Sequence, residues 1–165
     1  MKIEHMLMIA AGGGLLLMGL SGCGSRDGQD VVAASPEIVE VIEARKVNYK
    51  EIGGAYKTIA DEIKSGAPDL NTIGPMAQEI RTRAAGQLDY FVAGSGPESG
   101  EKTRAKAQIW RSLADFSAAH EKFLAAADRL IAAAKSGDVA AVSARYDELG
   151  AACKGCHDRF RERDE

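Results

Sequence analysis

Near its C-terminal end the chain reads Ala151-Ala152-Cys153-Lys154-Gly155-Cys156-His157-Asp158-Arg159-Phe160-Arg161. Its centre is a C-x-x-C-H, the attachment signature of c-type haem. Thiols at i and i+3 on a helix stand almost one turn apart on one side, so both can reach the two vinyl groups along one porphyrin edge. The neighbouring imidazole of His157 is then placed to become the axial ligand of the iron. Other uses of these residues fit less well. A structural zinc site needs four ligands and would have to draw in His120 beside the adjacent pair Cys156 and His157. A thioredoxin-type thiol pair expects a βαβ setting, and no strand-like alternation surrounds this motif.

Working outward, the composition suits a helical carrier. The chain has 165 residues, enough for one domain with short additions and a sizeable core. Aromatics make up 5% and prolines number four, while alanine is abundant, a balance that favours long helices over strands. The formal charge is −3 and no basic run occurs, which excludes a nucleic-acid footprint.

The N-terminus reads as an export signal rather than as part of the fold. Lys2 precedes an apolar stretch from Met6 to Leu20, and Leu20-Ser21-Gly22-Cys23 follows. This is similar to a bacterial lipoprotein signal, in which residues 1–22 are removed and Cys23 is lipidated. An ordinary cleaved signal and an uncleaved anchor are the alternatives, the latter short against the roughly 20 residues of a membrane span. All three place the domain outside the cytoplasm, where bacterial c-type haem is attached. The expected location is the periplasmic side of the envelope, held to a membrane through Cys23. Residues 23–35 form the lipidated cysteine and an aperiodic tether, and the domain spans 36–165.

Four amphipathic segments follow. The first, Pro36 to Ser65, has Ser35 as N-cap, Pro36 at the first helical position and Gly66 as its stop. Its seam is Ile38, Ile42, Arg45, Tyr49, Ile52, Tyr56, Ile59 and Ile63, alternately four and three apart. The second runs from about Asn71 to Phe91, with Ile73, Ala77, Ile80, Ala84, Leu88 and Phe91 inward. A glycine-containing stretch with Pro97, Val92 to about Lys102, reads as a loop. The third, about Thr103 to Ser136, places Ile109, Leu113, Phe116, His120, Phe123, Ala127, Leu130 and Ala134 inward. Gly137-Asp138 ends it and caps the fourth, with Val139, Val142, Tyr146, Leu149, Cys153, Cys156 and Phe160 on its seam. The expected fold is all-α, an antiparallel four-helix bundle with one covalently bound haem c lodged between the helices.

Two residues of the first seam are out of place on apolar grounds. A guanidinium at Arg45 is costly in a core unless an anion meets it, and haem brings two propionates; snorkelling to the rim is its alternative. Tyr49, one turn on, can overhang the open side of the iron or be an ordinary buried tyrosine.

Residues 36 to 163 resemble the class II c-type cytochromes, the cytochrome c' family. The resemblance is carried by Arg45, Tyr49 and Gly53, by Ile109-Trp110 with Phe116, by Ser136-Gly137-Asp138, and above all by Cys153 to Arg161 at the end of the domain. It implies thioether bonds at Cys153 and Cys156, with His157 the single protein ligand of a five-coordinate, high-spin iron. It further implies that Arg45 meets a propionate, that Lys46 and Ser95 lie near the haem, and that Arg161 stands beside the proximal face. Tyr49 falls at the distal position, where relatives keep a non-ligating lid and bind nitric oxide and carbon monoxide. Homodimers through the first two helices are also implied.

The residues leave the sixth position of the iron arguable. After signal removal Met76 is the remaining methionine, and His120 lies on an inward seam, so either could make a low-spin, six-coordinate electron carrier of the same fold. A satisfied core or rim histidine is the commoner case. A tyrosinate ligand needs a depressed phenol pKa. The expected function is a gas-binding haem protein, capable of one-electron exchange with an unknown redox partner. No acid–base constellation points to an enzyme.

Overall fold

In a computed structural model the described residues are 34–163. The expected signal peptide 1–22, Cys23 and the tether up to residue 33 lie outside them. The chain folds into four long helices with two short interruptions. Helix α1 is Pro36–Lys64, α2 Leu70–Ala85, the short α3 Gln108–Arg111, α4 Leu113–Ser136 and α5 Val139–Phe160.

The helix ends follow local chemistry. The Ser35 hydroxyl accepts the Ile38 amide at 3.4 Å with Pro36 in the first turn, and Asp69 and Asp138 carboxylates cap α2 and α5 through the Asn71 and Ala141 amides. Gly137 ends α4 at φ +78°, a left-handed conformation in which a side chain would be strained.

Leu113 and Val139, expected inward, are exposed at the first turns of α4 and α5, and the sequence reading differs from the structure in three further places. Helix α2 stops at Ala85, and Gln87–Tyr90 form a separate 3₁₀ turn rather than a continuation to Phe91. Gly86 weakens the α-helix there and lets the chain tighten. The third segment does not begin at Thr103: residues 103–106 are non-helical, the helical turn starts at Ala107, and Ser112 (φ −139°) breaks the helix before α4. Along α1, Asn48 and Ala55 take the buried positions, whereas Tyr49 and Tyr56 lie one residue round the helix.

Helix α1 packs on α2, α2 on α4, and α4 on α5, closing an antiparallel bundle in which α1 and α5 meet only over a short stretch. The main core joins Ile52, Ile59, Ile73, Ile80, Leu130, Val142 and Leu149 with Ala77, Ala84, Ala126, Ala127 and Ala134. The alanines let backbones approach closely, so few large side chains suffice. A second, aromatic cluster of Ile109, Phe116 and Phe160, with Leu88, Phe91, Trp110 and Cys156 against it, closes the other end. There Phe116 stacks edge-on with Phe91 at 4.6 Å and with Phe160 at 5.1 Å. Gly96 is required in the loop because a Cβ would come within 2.8 Å of the Trp110 ring.

Candidate functional site

Where α1 and α5 separate, they enclose a cavity of about 1050 Å³. Ligand pockets usually hold about 300–1,000 Å³, so this one suits a large, flat guest. Its α1 wall carries Arg45, Tyr49, Ile52, Gly53 and Tyr56; its α5 wall carries Gly150, Cys153, Cys156, His157 and Arg161. Ile109, Phe116, Phe123 and Phe160 supply apolar lining, and the charged ends of Lys46, Lys50, Lys102, Arg104 and Lys154 surround it. At one end the Tyr56 and Tyr146 rings stack at 4.4 Å and join α1 to α5. At the other, Lys106 and Glu162 amides donate to the Phe160 and Arg104 carbonyls, tying the loop to the end of α5.

The three residues of the motif share the cavity because they share one face of α5. Both thiols are free and half-buried. Burial pushes the Cys153 thiol up to about 11, with Cys156 adding to the shift, and burial likewise raises Cys156. Redox-active thiol pairs require the opposite shift, so the thioredoxin-type alternative loses its chemical support. Zinc fares no better: among the described residues no group of three His, Cys, Asp or Glu side chains is placed to hold a metal ion. The His157 pKa is lowered, first by burial and then by the Arg161 and Arg104 cations, which keeps the imidazole neutral as an iron ligand requires.

Arg45 is buried but not idle. Its Nη1 donates to the Tyr90 carbonyl at 3.1 Å and the Ser95 hydroxyl at 3.2 Å, and its Nη2 to the Ser95 carbonyl and Thr103 hydroxyl, both at 2.9 Å. The guanidinium also stands 4.8 Å from the centre of the Phe91 ring. Burial lowers its pKa, countered by Tyr49 and Glu98. Snorkelling is therefore not what Arg45 does: it staples the loop over the cavity and presents its own edge to the lining. Ser95, expected near the haem, is fully buried and does not line the cavity. Its hydroxyl accepts from Arg45 and donates to the Val92 carbonyl at 2.8 Å. Thr103, which the sequence reading did not single out, takes the lining position instead.

Tyr49 is 37% exposed and lines the cavity. Surrounding atoms nonetheless crowd its hydroxyl, and desolvation raises the phenol pKa well above its ordinary value, so it stays protonated. Lys46 lies on the rim with its ammonium 2.5 Å from Glu43. Arg161 borders both the main cavity and a smaller one of about 300 Å³ beside His157.

The two candidates for a sixth ligand sit in different surroundings. His120 is buried and lines the cavity, but its Nε2 lies 2.8 Å from the Ala84 carbonyl, which can only accept, so that nitrogen carries the proton. Met76 packs against the main core and does not line the cavity.

Gln87 is a second lining residue that the sequence reading missed. It is 2% exposed, its Oε1 accepts from Asn48 at 3.3 Å, and its Nε2 has no partner. An orphaned buried amide costs about 1–3 kcal/mol. A signal was available, since the spacing Ile73, Ala77, Ile80, Ala84 continues by three to Gln87, putting a polar residue on a seam as at Arg45.

The cytochrome c' family model matches residues 40–161. Cytochrome c' of Rhodospirillum rubrum is 45% identical over 130 residues, covering 79% of this chain and 87% of the relative. That of Rubrivivax gelatinosus is 37% identical over 125 residues, 75% of this chain and 95% of the relative. Its crystal structure superposes with a TM-score of 0.69 at 36% identity, over 76% of this chain and 97% of that one. A nitric oxide complex of a mutant cytochrome c prime from Alcaligenes xylosoxidans superposes equally well, TM-score 0.69 at 25% identity, over 77% and 97%.

Proposed function

This chain belongs to the cytochrome c' family, with haem c as its cofactor, and on that premise we propose that it holds a five-coordinate, high-spin haem whose open face takes nitric oxide or carbon monoxide. When bound, haem c would supply an iron that can alternate between Fe(III) and Fe(II) and take a small ligand. The residues present fit that group. Cys153 and Cys156 would hold it covalently, His157 would ligate the iron with its neutral imidazole, and the aromatic lining would cover the porphyrin faces. Lys46, Lys102, Thr103, Arg104 and Arg161 would receive the propionates at the rim, with the buried Arg45 lining the cavity beside them.

The observation that carries the reading is the state of the wall facing α5. His120 has committed Nε2 to a backbone carbonyl, Met76 lies in the other core, and Tyr49 is held as a neutral phenol. Met76 and the phenol of Tyr49 are thereby removed as strong second axial ligands and His120 keeps only Nδ1 for the iron, while Tyr49 restricts access as a lid. The nitric oxide complex of the Alcaligenes relative supports the choice of ligand. Single-electron exchange with a redox partner is compatible with the same site. Enzymatic turnover is not part of this proposal, since no acid–base pair accompanies the motif.

Export to the periplasmic side of the envelope, lipid anchoring at Cys23 and homodimerisation complete the proposal; they rest on the sequence pattern and the family resemblance. Cys23→Ser should release the domain in soluble form, and wild-type protein already free of membranes would remove the anchor. Optical and electron paramagnetic resonance spectra of ferric and ferrous protein, with and without nitric oxide, test the pocket. High-spin ferric iron and a nitrosyl adduct are expected, whereas a low-spin, six-coordinate ferric signal would overturn the open face.

A further inference from the structure

The rim of the cavity carries a charge opposite to that of the chain. Seven of the lining residues are lysine or arginine and one, Asp158, is an acid, whereas the whole chain has a formal charge of −3. Apart from the buried Arg45, these cations are Lys46, Lys50, Lys102, Arg104, Lys154 and Arg161. They come from α1, from the loop before α3 and from α5 and its end, so they surround the opening instead of lining one helix. Lys46 and Lys154 are paired with Glu43 and Asp158. Lys50, Lys102 and Arg161 are exposed, and no carboxylate among the described residues lies within ion-pair distance of them. The two propionates of a bound haem c would offset two of these cations and leave the others in excess.

The placement of the acids selects the kind of partner. Glu37, Glu40, Glu43 and Glu51 are exposed on α1 and Glu98 on the loop. A broad anionic lipid surface would press against these carboxylates as well, whereas a protein can set its own carboxylates on the rim alone. At about 0.1 M salt, charges are screened over about 10 Å. Helix α1, with 29 residues, is roughly 40 Å long, so an approaching protein senses the rim before the net charge. A cleft lined by one sign of charge raises association rates by about 10- to 1,000-fold. Exposed ion pairs are individually weak, so such a complex is short-lived and the effect lies in its rate of formation.

We propose that this rim is the docking surface for an acidic one-electron carrier protein and that electrons cross there. One electron passes from the reduced carrier, which is oxidised, to Fe(III), which becomes Fe(II), with no atom or proton transferred. This rests on the haem reading above and gives its redox partner a chemical class. The test oxidises ferrous holoprotein in anaerobic stopped flow with hexacyanoferrate(III), an anion, or tris(phenanthroline)cobalt(III), a cation. The anion's rate constant should fall by about tenfold between about 10 and 200 mM salt while the cation's rises. Reduced acidic flavodoxin, the carrier probe, should reduce the ferric holoprotein with the same salt dependence as the anion. Lys50→Glu together with Lys154→Glu, which leaves the propionate cations in place, should slow that reduction by about tenfold with the haem spectrum unchanged. The two small-ion slopes stand even if the double variant fails to fold. Slopes of the sign set by the net charge overturn the proposal while leaving the haem site intact, as does a double variant that reacts with flavodoxin like wild type. Binding of the Cys23→Ser holoprotein to phosphatidylglycerol vesicles, without salt-dependent reduction by flavodoxin, also overturns it, by assigning the rim to a lipid surface. Wild-type protein that carries no covalent haem overturns the haem reading itself.

Discussion

The two ends of the bundle are built on different principles. At the Ile59–Leu130 end, aliphatic side chains and alanines from α1, α2, α4 and α5 fill the interior with no polar group required. At the Phe91–Phe160 end the same helices diverge, and a loop, an aromatic cluster and one buried arginine enclose a space they do not fill. The first end stabilises itself by burial, at about 25 cal/mol per Å² of apolar surface. The second exchanges part of that burial for a binding site and depends on directional contacts: four hydrogen bonds from Arg45, two backbone bridges to the end of α5, and a guest. Stability and function are thus separated along one set of helices.

The contrast breaks most severely when covalent attachment is removed. Replacing both Cys153 and Cys156 with alanine should abolish acid–acetone-resistant haem and lower the melting temperature, with hydrogen exchange accelerating first around residues 87–107 and the end of α5. Exchange that accelerates uniformly along α4 would mean that the two ends are not separable. Next in size is Leu130→Ala in the self-sufficient end. Leu130 is fully buried, so the cavity should cost about 2–5 kcal/mol in urea denaturation while the optical spectrum of the haem stays as in wild type. A spectrum that changes as much as the stability would couple the ends.

Arg45→Met should cost less overall, about 2–3 kcal/mol, because it removes the donor to the carbonyls of Tyr90 and Ser95 but touches no residue of the main core. Amide exchange should rise over residues 90–103 with little change in α4. Equal protection in variant and wild type would remove Arg45 as the loop staple and return it to a role at the rim.

The same contrast decides what could be read from the sequence. The aliphatic end was legible because its only information is periodicity: Ile42, Ile52, Ile59, Ile73, Ala77, Leu130 and Leu149 repeat every three or four residues and are all buried. The cavity end was legible in its ligands, since C-x-x-C-H is a local motif on one helix face. Its supporting parts were not. Pairing of Arg45 with Ser95 and Thr103 spans 50 and 58 residues, and no local pattern encodes which hydroxyl a guanidinium will meet; Ser95 was accordingly expected near the haem, whereas Thr103 is the one of the two that lines the cavity. The continuous second helix hid the turn at Gly86, and with it Gln87. Asn48 passed unnoticed because a half-residue drift of the seam exchanges its position with Tyr49.

Tyr49 gives the smallest and sharpest test, since it borders the space without supporting either core. It is 37% exposed, makes no ring stack and belongs to neither hydrophobic cluster. Tyr49→Ala should therefore leave denaturation within about 1 kcal/mol of wild type, the scale of a substitution that opens no sealed cavity. What it changes is access. The phenol is neutral and kept so by desolvation, so as the proposed lid it would obstruct by bulk rather than by charge or by binding the iron. Its removal should speed carbon monoxide and nitric oxide association by roughly tenfold, the equivalent of about 1.4 kcal/mol of entry barrier. Dissociation rates should change less, because a ligand already bound is held by the iron and by whatever donor faces it. Tyr49→Phe separates the two contributions: it keeps the bulk and removes the hydroxyl, so a steric lid predicts wild-type association rates. Rates that instead follow the alanine variant would show that the hydroxyl, not the ring, governs the open face.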